Sequence, residues 1–311
     1  MAPLVTIGTR GSPLALAQAR EVKARLGASR PELAEDGAIA LSIIRTSGDQ
    51  TIDRPLYDMG GKGLFTKEIE EALLDRRIDL AVHSIKDLPA FLPPGLAVVC
   101  VPPREDPRDV LFSPRAAGIS ALPRGASLGT SSPRRRAQAL ALRADLEIRP
   151  LRGNVETRLR KVRDGEADAT LLALSGLRRL GLEKEATAVI STDEMLPAVG
   201  QGALGIECRE DDRRIRDLLE PLNHSSSATC IAAERALLAA LEGSCRTPIA
   251  GLAELMSDNT LLLRALVASF DGRRIIRTER RGPAAEAARM GTDAGAELRS
   301  KAGNDFFAET A

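Results

Sequence analysis

Three consecutive arginines, Arg134-Arg135-Arg136, directly follow Ser132-Pro133, and that order has a chemical meaning. Serine then proline is a helix-start signature, the hydroxyl capping the first turn and the ring fitting its first position. A helix start offers unpaired N–H groups and the positive end of the dipole, to which arginine adds a cation suited to carboxylate or phosphate. Helical spacing fans consecutive side chains apart, so one of the three is expected to face solvent. Arg152-Gly153-Asn154-Val155-Glu156-Thr157-Arg158 forms a second cluster, and Arg10 with Ser12 a third. A lone surface arginine is ordinarily just solvated. Three clusters at predicted strand-to-helix junctions point instead to a ligand rich in anionic groups.

Lys86 and Asp87 stand just past a predicted strand in Ala81-Val82-His83-Ser84-Ile85-Lys86-Asp87-Leu88-Pro89. A carboxylate beside an ammonium at a sheet's ligand-binding edge can do acid–base work on a bound molecule; the alternative is a plain surface pair. His83 reads as a structural residue at the strand end. Cys245 lies in a turn after Gly243 and Ser244, where small neighbours expose the sulfur and Arg246 favours thiolate. Cys100, Cys208 and Cys230 stand in apolar or helical contexts and read as packing residues. Met59-Gly60-Gly61-Lys62-Gly63-Leu64-Phe65 fails the phosphate-loop pattern, because Gly63 stands where Ser or Thr would hold magnesium. It reads as a mobile lid that includes Lys62 and Phe65.

These groups need a scaffold, and 311 residues at 43% hydrophobic content suffice for two or three domains. Charges nearly cancel to +1, which excludes a global basic field for nucleic acid. Aromatics at 2%, with no Trp, remove the stacking platforms of a single-strand binder. Four scattered cysteines without a C-x-x-C pair, and only two histidines, are poor material for a structural zinc site. With no leader-like start and no membrane-length apolar run, the expectation is a reduced cytoplasmic protein.

Short apolar runs alternate with amphipathic stretches, the pattern of an α/β fold with a mainly parallel sheet. Ser12-Pro13-Leu14-Ala15-Leu16-Ala17-Gln18-Ala19 is echoed by Ser132-Pro133-Arg134-Arg135-Arg136-Ala137-Gln138-Ala139, each after a strand ending in Gly-Thr. Two similar α/β domains follow, each with a helix start at the carboxyl end of a strand, where open sheets bind ligands. Proline-rich Val101–Arg108 and Pro/Gly-rich Leu196–Ala203 read as two crossings, hence a two-strand hinge. From about Asn223 a helix, the Gly-Ser-Cys turn, a hairpin at Asp271-Gly272 and a closing helix make a small α+β C-terminal domain. The expected domains are 1–102 with 203–221, 108–196, and 224–311.

Together these stretches resemble the hydroxymethylbilane synthase, or porphobilinogen deaminase, family across nearly the whole chain. The resemblance is carried by Thr9–Leu16, Gly60–Phe65, His83–Pro89, Arg104–Asp109, Gly129–Ser132, Leu151–Val155, Leu196–Gly205 and the Gly-Ser-Cys turn, in that order and spacing. It implies two periplasmic-binding-protein-like α/β domains and a third that carries the cofactor cysteine. It implies head-to-tail condensation of four porphobilinogen molecules with loss of ammonia, on a dipyrromethane held by a thioether to Cys245, and then hydrolytic release of hydroxymethylbilane. By the same resemblance Asp87, Lys86 and Arg10 are catalytic. Ser132, Arg134, Arg135 and Arg158, with Lys86 and Asp87, bind the cofactor, and Arg10, Ser12, Arg152 and Arg158 bind substrate. The family further implies a monomer whose product passes to uroporphyrinogen III synthase. Pro133 in place of a common Leu, and Ser244 in place of a common Gly, remove no group assigned to chemistry. A solute-binding module and a nucleotide-binding enzyme are the rival readings. The first is disfavoured by the third domain and the Lys86-Asp87 pair, the second by the broken phosphate loop.

Overall fold

The computed structural model describes residues 3–50, 66–242, 247–303 and 306, so Lys62, Phe65 and Cys245 lie outside the described residues. In chain order the elements are β1 (Val5–Thr9), α1 (Pro13–Ser29), β2 (Ile39–Ile43), α2 (Ser47–Gln50), α3 (Lys67–Leu74), β3 (Leu80–Ser84) and β4 (Leu96–Cys100). There follow β5 (Asp109–Phe112), β6 (Ser127–Gly129), α4 (Pro133–Leu142), β7 (Glu147–Arg149), α5 (Val155–Arg163), β8 (Ala169–Ala173), α6 (Leu174–Arg179) and β9 (Ala188–Val189). The chain continues with β10 (Leu204–Arg209), α7 (Arg213–Leu219), α8 (Ser225–Ala240), β11 (Ile249–Leu255), β12 (Thr260–Ala268), β13 (Ile275–Pro283) and α9 (Ala287–Ala302). None of the described helices is long and apolar enough to cross a membrane.

The chain forms two compact units, passing from the first to the second after Glu105, returning at Ala203 and entering the second again at Thr229. In the first unit a five-stranded sheet has the order β2-β1-β3-β10-β4. β1 pairs in parallel with β2 and β3, whereas β10 runs antiparallel to both β3 and β4. One face packs Val5, Ile7, Leu80, Val82 and Ile206 against Val22 and Leu26 of α1 and Ile215 and Leu219 of α7. On the other face Ile69, Ala72 and Leu73 of α3 pack with Ala81 and Leu96. Helices on both faces explain why β3 and β4 carry apolar side chains at most positions.

The second unit repeats the plan as β7-β6-β8-β5-β9, with β5 antiparallel to β8 and β9. Each sheet thus receives one antiparallel strand, β5 or β10, straight after a crossing of the chain. This is the strand plan of periplasmic-binding-protein-type α/β domains. The same unit contains the smaller C-terminal domain, an antiparallel sheet ordered β11-β12-β13. One face of that sheet is covered by α8 and α9 through Leu237, Leu261, Leu263, Ala294 and Leu298. Its other face, through Ala250, Leu252 and Leu266, packs on Ala137 of α4 and on Leu196.

Two glycines let α9 lie directly on α8. A Cβ at Gly291 would stand 2.0 Å from the carbonyl oxygen of Ala233, and one at Gly295 would stand 2.6 Å from Ala240 Cβ. Overpacking of this kind costs about 1–3 kcal/mol, and each kcal/mol moves the melting midpoint of a chain this size by roughly 2–4 °C. Gly291→Val is therefore expected to lower the thermal midpoint by about 2–12 °C. Gly118→Ala, whose nearest neighbour would be Ser120 Oγ at 3.9 Å, is expected to change it by about a degree. Equal shifts in the two variants would contradict the packing argument.

Candidate active site

In the first unit the chemistry-bearing residues stand where strands end. Ser12 caps α1, its Oγ accepting the Ala15 N–H at 3.2 Å, with Pro13 in the first turn, as the sequence predicts. Arg10 lies half-buried between β1 and that cap. Beyond β3 the chain makes a single 3-10 turn, Ile85–Asp87. Ile85 and Leu88, both buried, pin its two ends, and the Ile85 N–H donates to the carbonyl of Ala203 at 3.1 Å. Gly205 is required here, because a Cβ would meet Ile85 Cδ1 at 2.5 Å. Lys86 is half-buried and Asp87 exposed. Among the described residues the Asp87 carboxylate has no hydrogen-bond or ion-pair partner. A bare carboxylate on a turn anchored at both ends can give or take a proton without first breaking a contact.

In the second unit Ser132 caps α4, its Oγ accepting the Arg135 N–H at 3.4 Å, with Pro133 next. The first two arginines that follow are not solvated. Arg134 and Arg135 are 5% and 6% exposed and converge on Asp109, which is fully buried. Arg134 Nη1 donates to Asp109 Oδ2 at 2.7 Å and to the Leu196 carbonyl at 2.8 Å. Arg135 Nη2 donates to Asp109 Oδ1 at 2.8 Å, and its Nη1 to the Leu171 carbonyl at 2.9 Å. Gln201 Nε2 completes the group, donating to Asp109 Oδ1 at 3.0 Å and to the Pro107 carbonyl at 2.7 Å. Burial alone would raise the Asp109 carboxyl, but the Arg134 and Arg135 guanidiniums more than reverse this and hold it well below the usual carboxylate range. Two guanidiniums face one carboxylate, which leaves one positive charge at a helix start. Of the three arginines, Arg136 is the one that faces solvent. It lies 5.9 Å from the centroid of Phe270 and donates to that residue's carbonyl. The turn between β12 and β13 presses on the same helix, for a Cβ at Gly272 would meet the Ala137 carbonyl oxygen at 2.3 Å.

The second cationic cluster opens α5. Asn154 caps it, its Oδ1 accepting the Thr157 N–H at 2.8 Å, and Arg158 Nε donates back to the Gly153 carbonyl at 2.8 Å. Gly153 has φ +123°, a conformation that favours glycine. Arg152 is half-buried, and its Nη1 is enclosed without a hydrogen-bond partner. A buried polar group without a partner is uncommon, which marks Arg152 for attention among the described residues.

Cys100, Cys208 and Cys230 are buried, as read from the sequence. Burial pushes the Cys100 thiol up to about 12 and the Cys208 thiol up to about 11, so neither is a nucleophile near neutral pH. His83 is buried in β3 beside Glu207 of β10. Sequence reasoning missed Asp109 and Gln201. The only local signal for Asp109 was an acidic residue heading an apolar strand just after a proline-rich passage.

Comparison with known proteins agrees along the length of the chain. A family profile described as porphobilinogen deaminase, dipyromethane cofactor binding domain, matches residues 5–217. A second, porphobilinogen deaminase, C-terminal domain, matches residues 228–300. The porphobilinogen deaminase of Nitrobacter winogradskyi is 55% identical over 304 residues, which is 98% of this chain and 95% of that one. That of Paracoccus denitrificans is 54% identical over 97% of this chain and 96% of its own, and the chloroplastic enzyme of Oryza sativa subsp. japonica is 51% identical over 98% and 86%. Among solved structures a periplasmic substrate-binding protein from Coxiella burnetii aligns with a TM-score of 0.42 at 16% identity, over 74% of this chain and 96% of that one. At that score it adds nothing to the fold described above. The chain belongs to the porphobilinogen deaminase family.

Proposed function

We propose that the protein is a hydroxymethylbilane synthase, joining four porphobilinogen molecules head to tail with loss of ammonia and then releasing the linear tetrapyrrole by hydrolysis. The observation that carries the mechanism is the exposed Asp87 carboxylate on its pinned turn beside Lys86. Asp87, when protonated, donates to the leaving amine of porphobilinogen, so that the C–N bond breaks with its electron pair on nitrogen. The carboxylate left behind faces the pyrrole N–H, whose acidity rises as the ring becomes electron-poor, and stabilises that charge. Lys86 and Arg10 assist by holding substrate carboxylates.

Each porphobilinogen brings two carboxylates, and the cations answer that demand. Arg10, Ser12, Arg152 and Arg158 are the substrate-binding residues of this reading, and the enclosed Nη1 of Arg152 supports it. Ser132, Arg134, Arg135 and Arg158 hold the dipyrromethane. The surplus positive charge at Asp109 and the capped start of α4 fit a propionate or acetate there. When bound, that group supplies the free pyrrole α-position to which each new unit is added. Its attachment through a thioether to Cys245 is what the family resemblance implies, and the burial of the other three cysteines is compatible with it. The protein acts as a monomer in the cytoplasm, and the product passes to uroporphyrinogen III synthase.

Intact-protein mass spectrometry tests the covalent part. The wild-type chain is expected to exceed its sequence mass by two pyrrole units and Cys245→Ser to match its sequence mass; an unmodified wild type from cells making porphobilinogen would refute the attachment. Turnover tests the acid–base part. Asp87→Asn is expected to retain the mass excess and to lose ammonia release about a hundredfold or more. Ammonia release at the wild-type rate would remove Asp87 from the mechanism.

A further inference from the structure

A second group of buried ionisable side chains lies in the first unit, outside the residues assigned above. His83 and Glu207 stand on adjacent antiparallel strands, where the register opposes His83 to Gly205 and Ala81 to Glu207. The two side chains are therefore diagonal neighbours on one face of the sheet. Their side chains are 5% and 0% exposed, with His83 Nε2 2.9 Å from Glu207 Oε2. The contact is close, but its angle does not make a hydrogen bond, and both Glu207 oxygens stay without a hydrogen-bond partner. Glu70 of α3, 7% exposed, belongs to the same group, and its Oε1 is likewise unpartnered. Burial pushes the Glu70 carboxyl up and Glu207 adds to the rise, outweighing the opposite pull of Thr66 and His83. Three ionisable side chains thus share one buried pocket of the first unit.

Such a cluster works against stability. Replacing a buried ionic group by apolar side chains of similar shape is often neutral or stabilising. The surrounding face is apolar already, with Ile69, Leu73, Ile78 and Ala81 packed in it. The location supplies the reason to keep the charges. His83 is the penultimate residue of β3, and the turn bearing Lys86 and Asp87 begins two residues later. Glu207 is on β10, the strand that starts next to Ala203, whose carbonyl receives the Ile85 N–H.

We infer that His83 and Glu207, with Glu70 above them, are positioning residues for Asp87. Their contact fixes β3 against β10 at the end where the catalytic turn departs, and ties both strands to α3. They touch neither substrate nor primer. A displacement of about 1 Å at the reacting group can cost about a hundredfold in rate, so a small slip of β3 falls on turnover rather than on binding.

The inference rests on the role proposed for Asp87, and steady-state kinetics with porphobilinogen separates the two. The double variant His83→Leu with Glu207→Leu is expected to melt no lower than wild type, to carry the full primer mass, and to lose kcat about tenfold with KM within about twofold. His83→Gln with Glu207→Gln, which keeps the shapes and can hydrogen-bond across the pair, is expected to recover most of that loss and guards against a Leu pair that does not fold. In an Asp87→Asn background the Leu pair is expected to add little, because both changes act on one group. Wild-type kcat in the Leu pair, or a raised KM with kcat intact, overturns the positioning role. Full turnover by Asp87→Asn alone overturns the proposed mechanism, whatever the pair does.

Discussion

One buried carboxylate organises the second unit. Asp109 opens β5, receives both guanidiniums from the start of α4, and receives Gln201 from the passage by which the chain returns. The same arginines take the carbonyls of Leu196 and Leu171, so strand, helix and return passage close on a single oxygen pair. Removing one partner from such a group costs about 3–5 kcal/mol, because the remaining charges stay buried and unpaired. The depressed Asp109 carboxyl fixes the pH range. Its contribution to stability is full above the ordinary carboxylate range and is lost only as pH falls towards the depressed value. The arrangement therefore persists at every pH at which the reaction would be run.

Stability alone would be served as well by apolar side chains. What apolar side chains lack is the positive charge that remains after Asp109 has been counted against two arginines. That charge stands at a capped helix start and beside the α4 face that the C-terminal sheet covers. The first unit uses the same local plan differently. Its Ser-Pro helix start is flanked by Arg10, and its next strand end carries Lys86 and Asp87. In the function proposed above, the repeated scaffold serves anion recognition at one strand edge and proton transfer at the other. Both tasks belong to a reaction whose substrate carries two carboxylates and must lose an amine.

What the sequence made legible was local. Ser12-Pro13 and Ser132-Pro133 signal their helix starts because capping depends on residues within one turn. The Asp271-Gly272 hairpin was visible for the same reason, since a turn with φ +71° at its glycine is written in two residues. The Lys86-Asp87 pair was visible because its members are adjacent. Long-range pairing was not. β10 escaped prediction because Glu207 and Arg209 interrupt its apolar pattern, although all six of its residues are buried. The burial of Arg134 and Arg135 was hidden because their partner lies 25 and 26 residues upstream, across a strand and a loop. Read locally, they were a cationic surface; in the fold they form an internal anchor with charge to spare.

That spare charge is the central claim, and a thermal cycle on four proteins tests it directly. The stabilisation conferred by the primer is the difference in unfolding free energy between a chain with Cys245 and its Cys245→Ser counterpart, measured in the native background and again with Arg135→Gln, with loading checked by mass. If a primer carboxylate uses the surplus charge, the stabilisation is expected to fall by about 1–3 kcal/mol when Arg135 is replaced. Equal stabilisation in the two backgrounds would mean that Arg135 serves Asp109 alone, and would contradict the account.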